Sequence, residues 1–238
     1  MPTRIHPSVV VGVGVELGVD VVVGPNTVLT GPLVIGDRVW IAPMVSIGTP
    51  AEYRGGPHPV GWGGEQCGAG VEIGPSTIIR EFVTINQGTE ETTSIGADCY
   101  LLARSHVGHD CVVGEGVTLA DSVQLGGHTH VWAWANIGMG SVVHQRCEVG
   151  PGAMVGMGSA VRQPVAPFTV AVGNPARTVG VNVVGLQRRG CSPEAIEALA
   201  LVLKLKQVDV DALPADLPSD LRQWLQSWVE REPLKADH

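Results

Sequence analysis

The chain has 238 residues, of which 44% are apolar, and a mean hydropathy of +0.21, so it can bury a large ordered core. Aromatic residues make up only 4% while glycine occurs 32 times, which suits thin coils with tight corners better than a β-sandwich or an α/β globule. The net charge of −8 argues against nucleic-acid binding, and no run approaches the roughly 18 consecutive apolar residues of a membrane span.

The five cysteines form an odd set without a CxxC pair, and the N-terminal sequence MPTRIHPSVV has no apolar signal region. Disulfide frameworks in secreted proteins use paired cysteines. We therefore expect a reduced, cytoplasmic protein with no integral membrane segment.

From residue 11 onward an aliphatic residue returns every sixth position, at Val11, Leu17, Val23, Leu29, Ile35, Ile41 and Ile47. This register breaks after residue 48 and resumes at Ile73. The intervening stretch is rich in glycine and proline, so residues 49–70 are predicted to form an excursion loop, which in a solenoid commonly lies over the binding face. A shorter interruption covers residues 86–94.

The longest regular stretch, residues 95–162, repeats the pattern twelve times without a slip. A period of six fits neither an α-helix nor plain strand alternation and indicates a hexapeptide solenoid. Three short strands close a triangular coil of about 18 residues, so positions 18 apart stack at the usual strand spacing of roughly 4.8 Å. The predicted fold class is therefore mainly β, a parallel β-helix.

The repeat decays after residue 161, and apolar runs between residues 163 and 190 predict strands that close the last coil. Ser192 and Pro193 provide an N-cap and a first helical turn, and a second helix is predicted to begin after Ser219. The predicted organisation is a β-helix over residues 1–190 and a small α-helical cap over residues 191–238, which covers the open edge of the solenoid.

The stacking rule brings polar residues together on two neighbouring coils. It places His109 over Gly127, Asp110 over His128 and Gly126 over His144, while His106 lies three residues before His109. Because aliphatic stacking alone stabilises a solenoid, this cluster predicts a functional site. Metal binding is the rival interpretation, but no cysteine or carboxylate spacing completes a familiar zinc pattern, so no metal is expected.

Five segments carry a resemblance to a known family: RSHVGHD (104–110), LGGH (125–128), VVHQ (142–145), GVNVVGLQRRG (180–190) and IREFVTINQGT (79–89). With them, nearly the whole chain resembles the acyl-carrier-protein-dependent UDP-N-acetylglucosamine O-acyltransferases, which catalyse the first step of lipid A synthesis. The resemblance implies a left-handed β-helix and a homotrimer with active sites between chains.

The resemblance also implies the chemical roles at the site. His109 matches the general base, Asp110 assists it, and the Gly127 N–H matches the donor to the oxyanion. Neutral histidine suits this role, because an acceptor hydroxyl must lose its proton as it attacks.

Substrate contacts follow from the same resemblance. His106, His128, His144 and Gln145 match positions that contact substrate or acyl chain. Asn182, Arg188 and Arg189 match residues around the nucleotide and its phosphates, and Glu52 and Arg54 take the place of an acidic and a basic residue in the first loop. The chain departs from the family pattern at Asn86, Pro175 and Val184, which thins the contacts to the sugar.

Met157 occupies the position of the family's acyl-length ruler. Its side chain fills space worth several methylenes, so we expect a medium acyl chain of about ten carbons.

The expected function is transfer of a 3-hydroxyacyl group from acyl carrier protein to the 3-hydroxyl of UDP-GlcNAc, or to the 3-amino group of a close nucleotide sugar. No cofactor is expected, because the donor carries the acyl group on its own phosphopantetheine. Two alternatives stay open: an acetyl-CoA-dependent transferase of the same superfamily, and a non-catalytic or metal-binding solenoid.

Overall fold

The computed structural model describes residues 2–55, 68–204, 213 and 217–231. Most of the first excursion loop and parts of the C-terminal tail lie outside these residues. The described chain forms a long parallel β-solenoid followed by three helices.

Two- to five-residue strands make up the solenoid. In chain order they are β1 (Arg4–Ile5), β2 (Val10–Val11), β3 (Val15–Leu17), β4 (Val22–Val23), β5 (Val28–Leu29), β6 (Leu33–Ile35), β7 (Trp40–Ile41), β8 (Ser46–Thr49), β9 (Val71–Ile73), β10 (Ile78–Ile79), β11 (Thr84–Asn86), β12 (Thr93–Ile95), β13 (Tyr100–Leu101), β14 (His106–Val107), β15 (Val112–Val113), β16 (Thr118–Leu119), β17 (Gln124–Leu125), β18 (His130–Val131), β19 (Asn136–Ile137), β20 (Val142–Val143), β21 (Glu148–Val149), β22 (Met154–Val155), β23 (Ala160–Val161), β24 (Thr169–Val172) and β25 (Arg177–Val181).

Every third strand joins the same sheet, which gives the coil its three faces. The first sheet runs from β1 through β4, β7, β10, β13, β16, β19 and β22 to β24 and β25. The second runs from β2 through β5, β8, β11, β14, β17 and β20 to β23, and the third from β3 through β6, β9, β12, β15 and β18 to β21. Only β24 and β25 among these pairs are antiparallel.

The strand register confirms the predicted spacing of 18 residues. Leu101 pairs with Leu119 in the first sheet, as do Val107 with Leu125 in the second and Val113 with Val131 in the third. The interruptions appear where partners lie further apart, since Ile41 pairs with Ile79 across the first loop and Ile79 with Leu101 across the second.

The repeated aliphatic residues form the core of the prism. Leu101, Val107, Leu119 and Leu125 are all completely buried. Burying one such side chain stabilises the fold by about 1.5–3 kcal/mol, and each coil supplies three. Stability is therefore a sum of contacts between neighbouring coils, as predicted for a solenoid.

The corners between sheets use a left-handed backbone residue three positions after each buried aliphatic residue. Asp110, His128 and Arg146 adopt positive φ angles of 56–57° and form one column at the corner that leads from the second sheet to the third. The site residues are therefore set by the corner geometry of the solenoid.

Three helices follow the last coil: α1 (Val183–Arg188), α2 (Pro193–Lys204) and α3 (Ser219–Glu230). The predicted start of α2 is confirmed, because the Ser192 hydroxyl accepts a 3.0 Å hydrogen bond from the Ala195 N–H. α3 begins at Ser219, one residue earlier than predicted. The expectation of strands up to residue 190 was wrong in part, because Asn182 caps a helix there through a 3.0 Å hydrogen bond from the Gly185 N–H to its side-chain oxygen.

The helices pack against the last coil and also along its side. Phe168 of the solenoid shares an apolar cluster with Leu186, Leu199, Leu221 and Leu225. The predicted domain boundary at residue 190 stays a prediction. α1 lies before that boundary, yet it packs in the same cluster as α2 and α3.

α3 also packs along the corner between the third and first sheets. Trp228 lies edge-on against Trp132, with ring centroids 5.6 Å apart. Arg231 covers the Trp228 ring and forms an ion pair with Glu148 on the third sheet. None of the described helices is long and apolar enough to cross a bilayer.

Candidate active site

His109 and Asp110 form a dyad at one corner of the solenoid. His109 Nδ1 lies 2.6 Å from Asp110 Oδ2, and the Asp110 side chain is only 1% exposed. A carboxylate at this distance accepts the Nδ1 proton and leaves Nε2 of a neutral imidazole without one. The ring therefore presents a basic nitrogen away from Asp110.

Asp110 is ionised at neutral pH. Burial by itself would raise the pKa of its carboxyl, but hydrogen bonds from the Glu91 N–H, the His109 ring and the Glu90 N–H outweigh burial and hold the pKa well below its ordinary value. An ionised carboxylate can fix the imidazole tautomer and stabilise the ring after it gains a proton.

Gly127 lies on the next coil, directly beside the His109 ring. A Cβ atom at residue 127 would come within 2.6 Å of His109 Nε2, and one at Gly108 within 2.9 Å of the Gly127 nitrogen. Side chains at either position would fill this space. Within the described part of the chain the Gly127 N–H donates to no acceptor, so it is available to a negatively charged oxygen.

A cleft of about 410 Å³ opens in front of the dyad. Four of the predicted substrate-contact residues line it, namely Glu52, His106, His144 and Gln145. The catalytic residues His109 and Gly127 line the same cleft. His128 flanks the dyad, with Nε2 3.7 Å from Asp110 Oδ2. Arg54 is exposed in the first loop and does not line this cleft.

Burial affects the neighbouring histidines as well. Loss of hydration lowers the pKa of both His106 and His128 below the ordinary value, so both rings are neutral at pH 7. His106 Nδ1 also lies 2.8 Å from the Thr84 hydroxyl. His106 and His128 therefore offer neutral hydrogen-bonding groups beside the dyad.

Asn182, Arg188 and Arg189 lie in a different, larger cleft of about 890 Å³, which faces the first sheet. Arg188 is exposed there. Arg189 is held internally, because its guanidinium lies between the Trp134 and Trp224 rings and forms a 3.0 Å ion pair with Asp220. Within a single chain, the predicted phosphate-binding residues and the His109–Asp110 dyad therefore lie in different clefts.

Met157 lies at the corner between the first and second sheets and is 78% exposed. Met139, one coil earlier, is 55% exposed at the same corner. Such contiguous apolar exposure is typical of a surface that another molecule covers. Met157 therefore stays a predicted acyl-length determinant.

Two residues missed by the sequence reasoning, Tyr53 and Gln124, join the first cleft, as does Asn86, which the sequence analysis named only as a departure from the family pattern. The Tyr53 ring centroid lies 5.9 Å from that of His109, and Gln124 and Asn86 line the wall. Gln124 follows from the stacking rule, because it lies 18 residues after His106. No periodic signal identifies Tyr53, since it belongs to the first excursion loop.

A metal ion has a possible set of ligands in His109, Asp110 and His128, whose nearest ligand atoms lie within 4.8 Å of one another. However, Asp110 Oδ2 already accepts hydrogen bonds from the His109 ring and the Thr89 hydroxyl. A metal would have to displace both donors, so the arrangement fits a hydrogen-bonded dyad better.

Family models match two parts of the chain. A model described as bacterial transferase hexapeptide (six repeats) matches residues 92–127, and one described as UDP N-acetylglucosamine O-acyltransferase, domain 2, matches residues 165–206. A curated acyl-[acyl-carrier-protein]–UDP-N-acetylglucosamine O-acyltransferase of Burkholderia lata is 44% identical over 136 residues, which cover 56% of this chain and 52% of the relative. The chain thus spans about half the length of the curated relatives it matches.

Solved structures match over nearly the whole chain. The Acinetobacter baumannii structure, named for the same enzyme family, has a TM-score of 0.74 at 28% identity and covers 96% of this chain and 95% of its own. The UDP-N-acetylglucosamine O-acyltransferase structure from Moraxella catarrhalis has a TM-score of 0.62 at 33% identity, with coverage of 97% and 88%. The predicted fold class, a mainly β parallel solenoid, is confirmed by these matches. This chain belongs to the UDP-N-acetylglucosamine O-acyltransferase family.

Proposed function

We propose that this chain transfers a 3-hydroxyacyl group from acyl carrier protein to the 3-hydroxyl of UDP-GlcNAc, the first step of lipid A synthesis. The observation that carries the proposal is the juxtaposition of the His109–Asp110 dyad with the unpaired Gly127 N–H in one cleft. Full-length structural relatives that are named as this enzyme support it.

The mechanism uses these groups in order. His109 Nε2 takes the proton of the sugar hydroxyl as its oxygen attacks the thioester carbonyl carbon. The carbonyl oxygen becomes an oxyanion, which accepts a hydrogen bond from the Gly127 N–H. The tetrahedral intermediate then expels the phosphopantetheine thiolate, which takes the proton from His109 Nε2, so that an ester and a thiol result.

A homotrimer with shared sites belongs to the same proposal. One chain keeps Arg188 and the His109 dyad in separate clefts, and a neighbouring copy could bring the two together. The exposed methionine corner supports this proposal, because contact with another copy would bury it. Light scattering measures the oligomeric state directly.

Mixed assemblies test whether the site is shared. His109→Ala chains are expected to be inactive alone, and Arg188→Ala chains to be weakly active at low concentrations of the nucleotide sugar. When the two are coexpressed, activity at low nucleotide-sugar concentration is expected to rise above that of either variant, because some clefts receive both intact residues. If the mixture shows no such rise although the chains assemble, each site lies within one chain.

A donor and acceptor comparison tests the activity. Purified protein is incubated with 3-hydroxyacyl carrier protein or acetyl-CoA and with UDP-GlcNAc or its 3-amino analogue, and products are identified by mass spectrometry. We expect the carrier-protein donor to react and His109→Ala to abolish the product, while His6→Ala at an exposed corner has no effect. Reaction with acetyl-CoA alone would favour the acetyltransferase alternative, and no reaction with any donor would favour a scaffold.

The cytoplasmic location is also proposed rather than observed. Cys99, Cys111 and Cys147 are buried free thiols, as in proteins of reducing compartments.

A further inference from the structure

The second interruption of the repeat, residues 86–94, closes around the Asp110 carboxylate. The backbone N–H groups of Thr89, Glu90 and Glu91 donate to Oδ1 at 2.9, 2.9 and 2.8 Å. The Thr89 hydroxyl donates to Oδ2 at 2.7 Å. Four donors from three consecutive residues therefore converge on one carboxylate.

These contacts fix the rotation of the carboxylate about its χ2 bond. With Oδ1 held by three amides, Oδ2 can only point toward the His109 ring, 2.6 Å away. Oδ2 accepts hydrogen bonds from both the His109 Nδ1–H and the Thr89 hydroxyl. The hydroxyl therefore weakens the electrostatic attraction between the carboxylate and the imidazole. The Thr89 side chain is thus one contact removed from the base.

We propose that Thr89 is a positioning residue, whose hydroxyl and N–H set the orientation of Asp110 and through it the tautomer and basicity of His109. The consequence for reaction rate rests on the proposed function. The consequence for the imidazole itself does not, because it concerns the free protein.

The Thr89 hydroxyl has no other bond in the described structure that would give it a merely structural role. The same loop is anchored elsewhere: the Gly88 N–H donates to the Gly70 carbonyl at 3.0 Å, the Thr93 N–H to the same carbonyl at 3.2 Å, and the Thr92 hydroxyl to the Ala69 carbonyl at 2.9 Å. Thr92 therefore offers a matched control, because it is a threonine of the same loop that does not contact Asp110.

The kinetic test compares Thr89→Val, Thr89→Ser and Thr92→Val. Loss of one hydrogen bond to a charged oxygen is expected to lower kcat of Thr89→Val by about tenfold while KM for the nucleotide sugar stays unchanged. Serine restores the hydroxyl and therefore most of kcat, and Thr92→Val keeps wild-type kcat. The acid limb of the pH profile of Thr89→Val moves to higher pH, because Oδ2 then stabilises the protonated imidazole more strongly.

A spectroscopic test needs no substrate. In protein labelled at histidine, the His109 signals are assigned by comparison with His109→Gln and followed by NMR as the pH changes. The wild type and both variants are expected to hold the proton on Nδ1, because the three amides that orient Asp110 remain. Thr89→Val is expected to show a higher titration midpoint than wild type or Thr92→Val.

The two tests separate the possible failures. If wild-type protein acylates no sugar but Thr89→Val still alters the His109 titration, the proposed function is wrong and the positioning role stands. If Thr89→Val matches wild type in both the titration and kcat, Thr89 does not position the dyad.

Discussion

Replacing Gly127 with alanine would add a single methyl group directly beside the His109 ring of the neighbouring coil. The new Cβ would lie 2.6 Å from His109 Nε2, 2.7 Å from Cε1 and 3.1 Å from Cδ2. Ordinary contact begins near 3.4 Å, so the ring must retreat by about 0.8 Å. Residue 127 does not have a left-handed backbone, so alanine meets no conformational strain there and the effect falls on the imidazole.

The magnitude follows from this displacement. A misplacement of about 1 Å of a catalytic group can cost on the order of a hundredfold in rate, so we expect kcat to fall by about that factor. Moving the ring also weakens its 2.6 Å bond to Asp110. Stability should change little, because the ring is half-buried and can turn into the cleft.

The assay measures kcat and KM for acyl transfer together with the melting temperature. Gly180→Ala is the matched control, because a Cβ there meets nothing within 4 Å. A Gly127→Ala protein that folds and keeps wild-type kcat would refute the reasoning, since the imidazole could then work from a displaced position.

Three further predictions concern specificity, acid stability and the two arginines. Met157→Gly is expected to lengthen the preferred acyl chain by about two to four carbons, because removing the side chain frees the volume of several methylenes. Competition between thioesters of different chain length measures this preference, with Met139→Gly as the control. An unchanged preference would contradict the prediction. Burial lowers the pKa of His130 to about 4, below its ordinary value of 6.5, so the unfolded chain binds a proton first as the pH falls and stability is lost between pH 6.5 and 4. The loss is no more than about 3 kcal/mol, and denaturation at fixed protein concentration should show a weaker acid dependence in His130→Gln; equal slopes would count against it. Arg188→Ala is expected to raise KM for the nucleotide sugar with little change in melting temperature. Arg189→Ala empties the space between two tryptophan rings and is expected to lower the melting temperature by a few degrees. The reverse pattern would assign nucleotide-sugar binding to Arg189 and stability to Arg188.

The period of the sequence is sufficient to predict the part of the site that lies on regular coils. Because residues 18 apart stack, the positions of His109, Gly127 and His144 follow from counting alone. Their chemical roles do not follow from it, and they enter through the resemblance of the surrounding motifs.

The remainder of the site lies on segments that interrupt the period. Thr89 reaches Asp110 across 21 residues, a separation that no multiple of six predicts, because the loop inserts four extra residues into its coil. Tyr53 belongs to the longer loop for the same reason. α1 was missed because its apolar residues suit a strand as well as a helix, and the Asn182 cap decides between them.

The coil length also restricts how such a chain can change in size. Adding or deleting 18 residues within the regular part moves everything beyond it by one rung, roughly 4.8 Å, and leaves each side chain facing the direction it faced before. A change of six residues would instead turn the following coils by one face of the triangle, so that Gly127 would no longer lie above His109. Length variation between His109 and Gly127 should therefore be confined to protruding loops, which do not change the direction that the following side chains face.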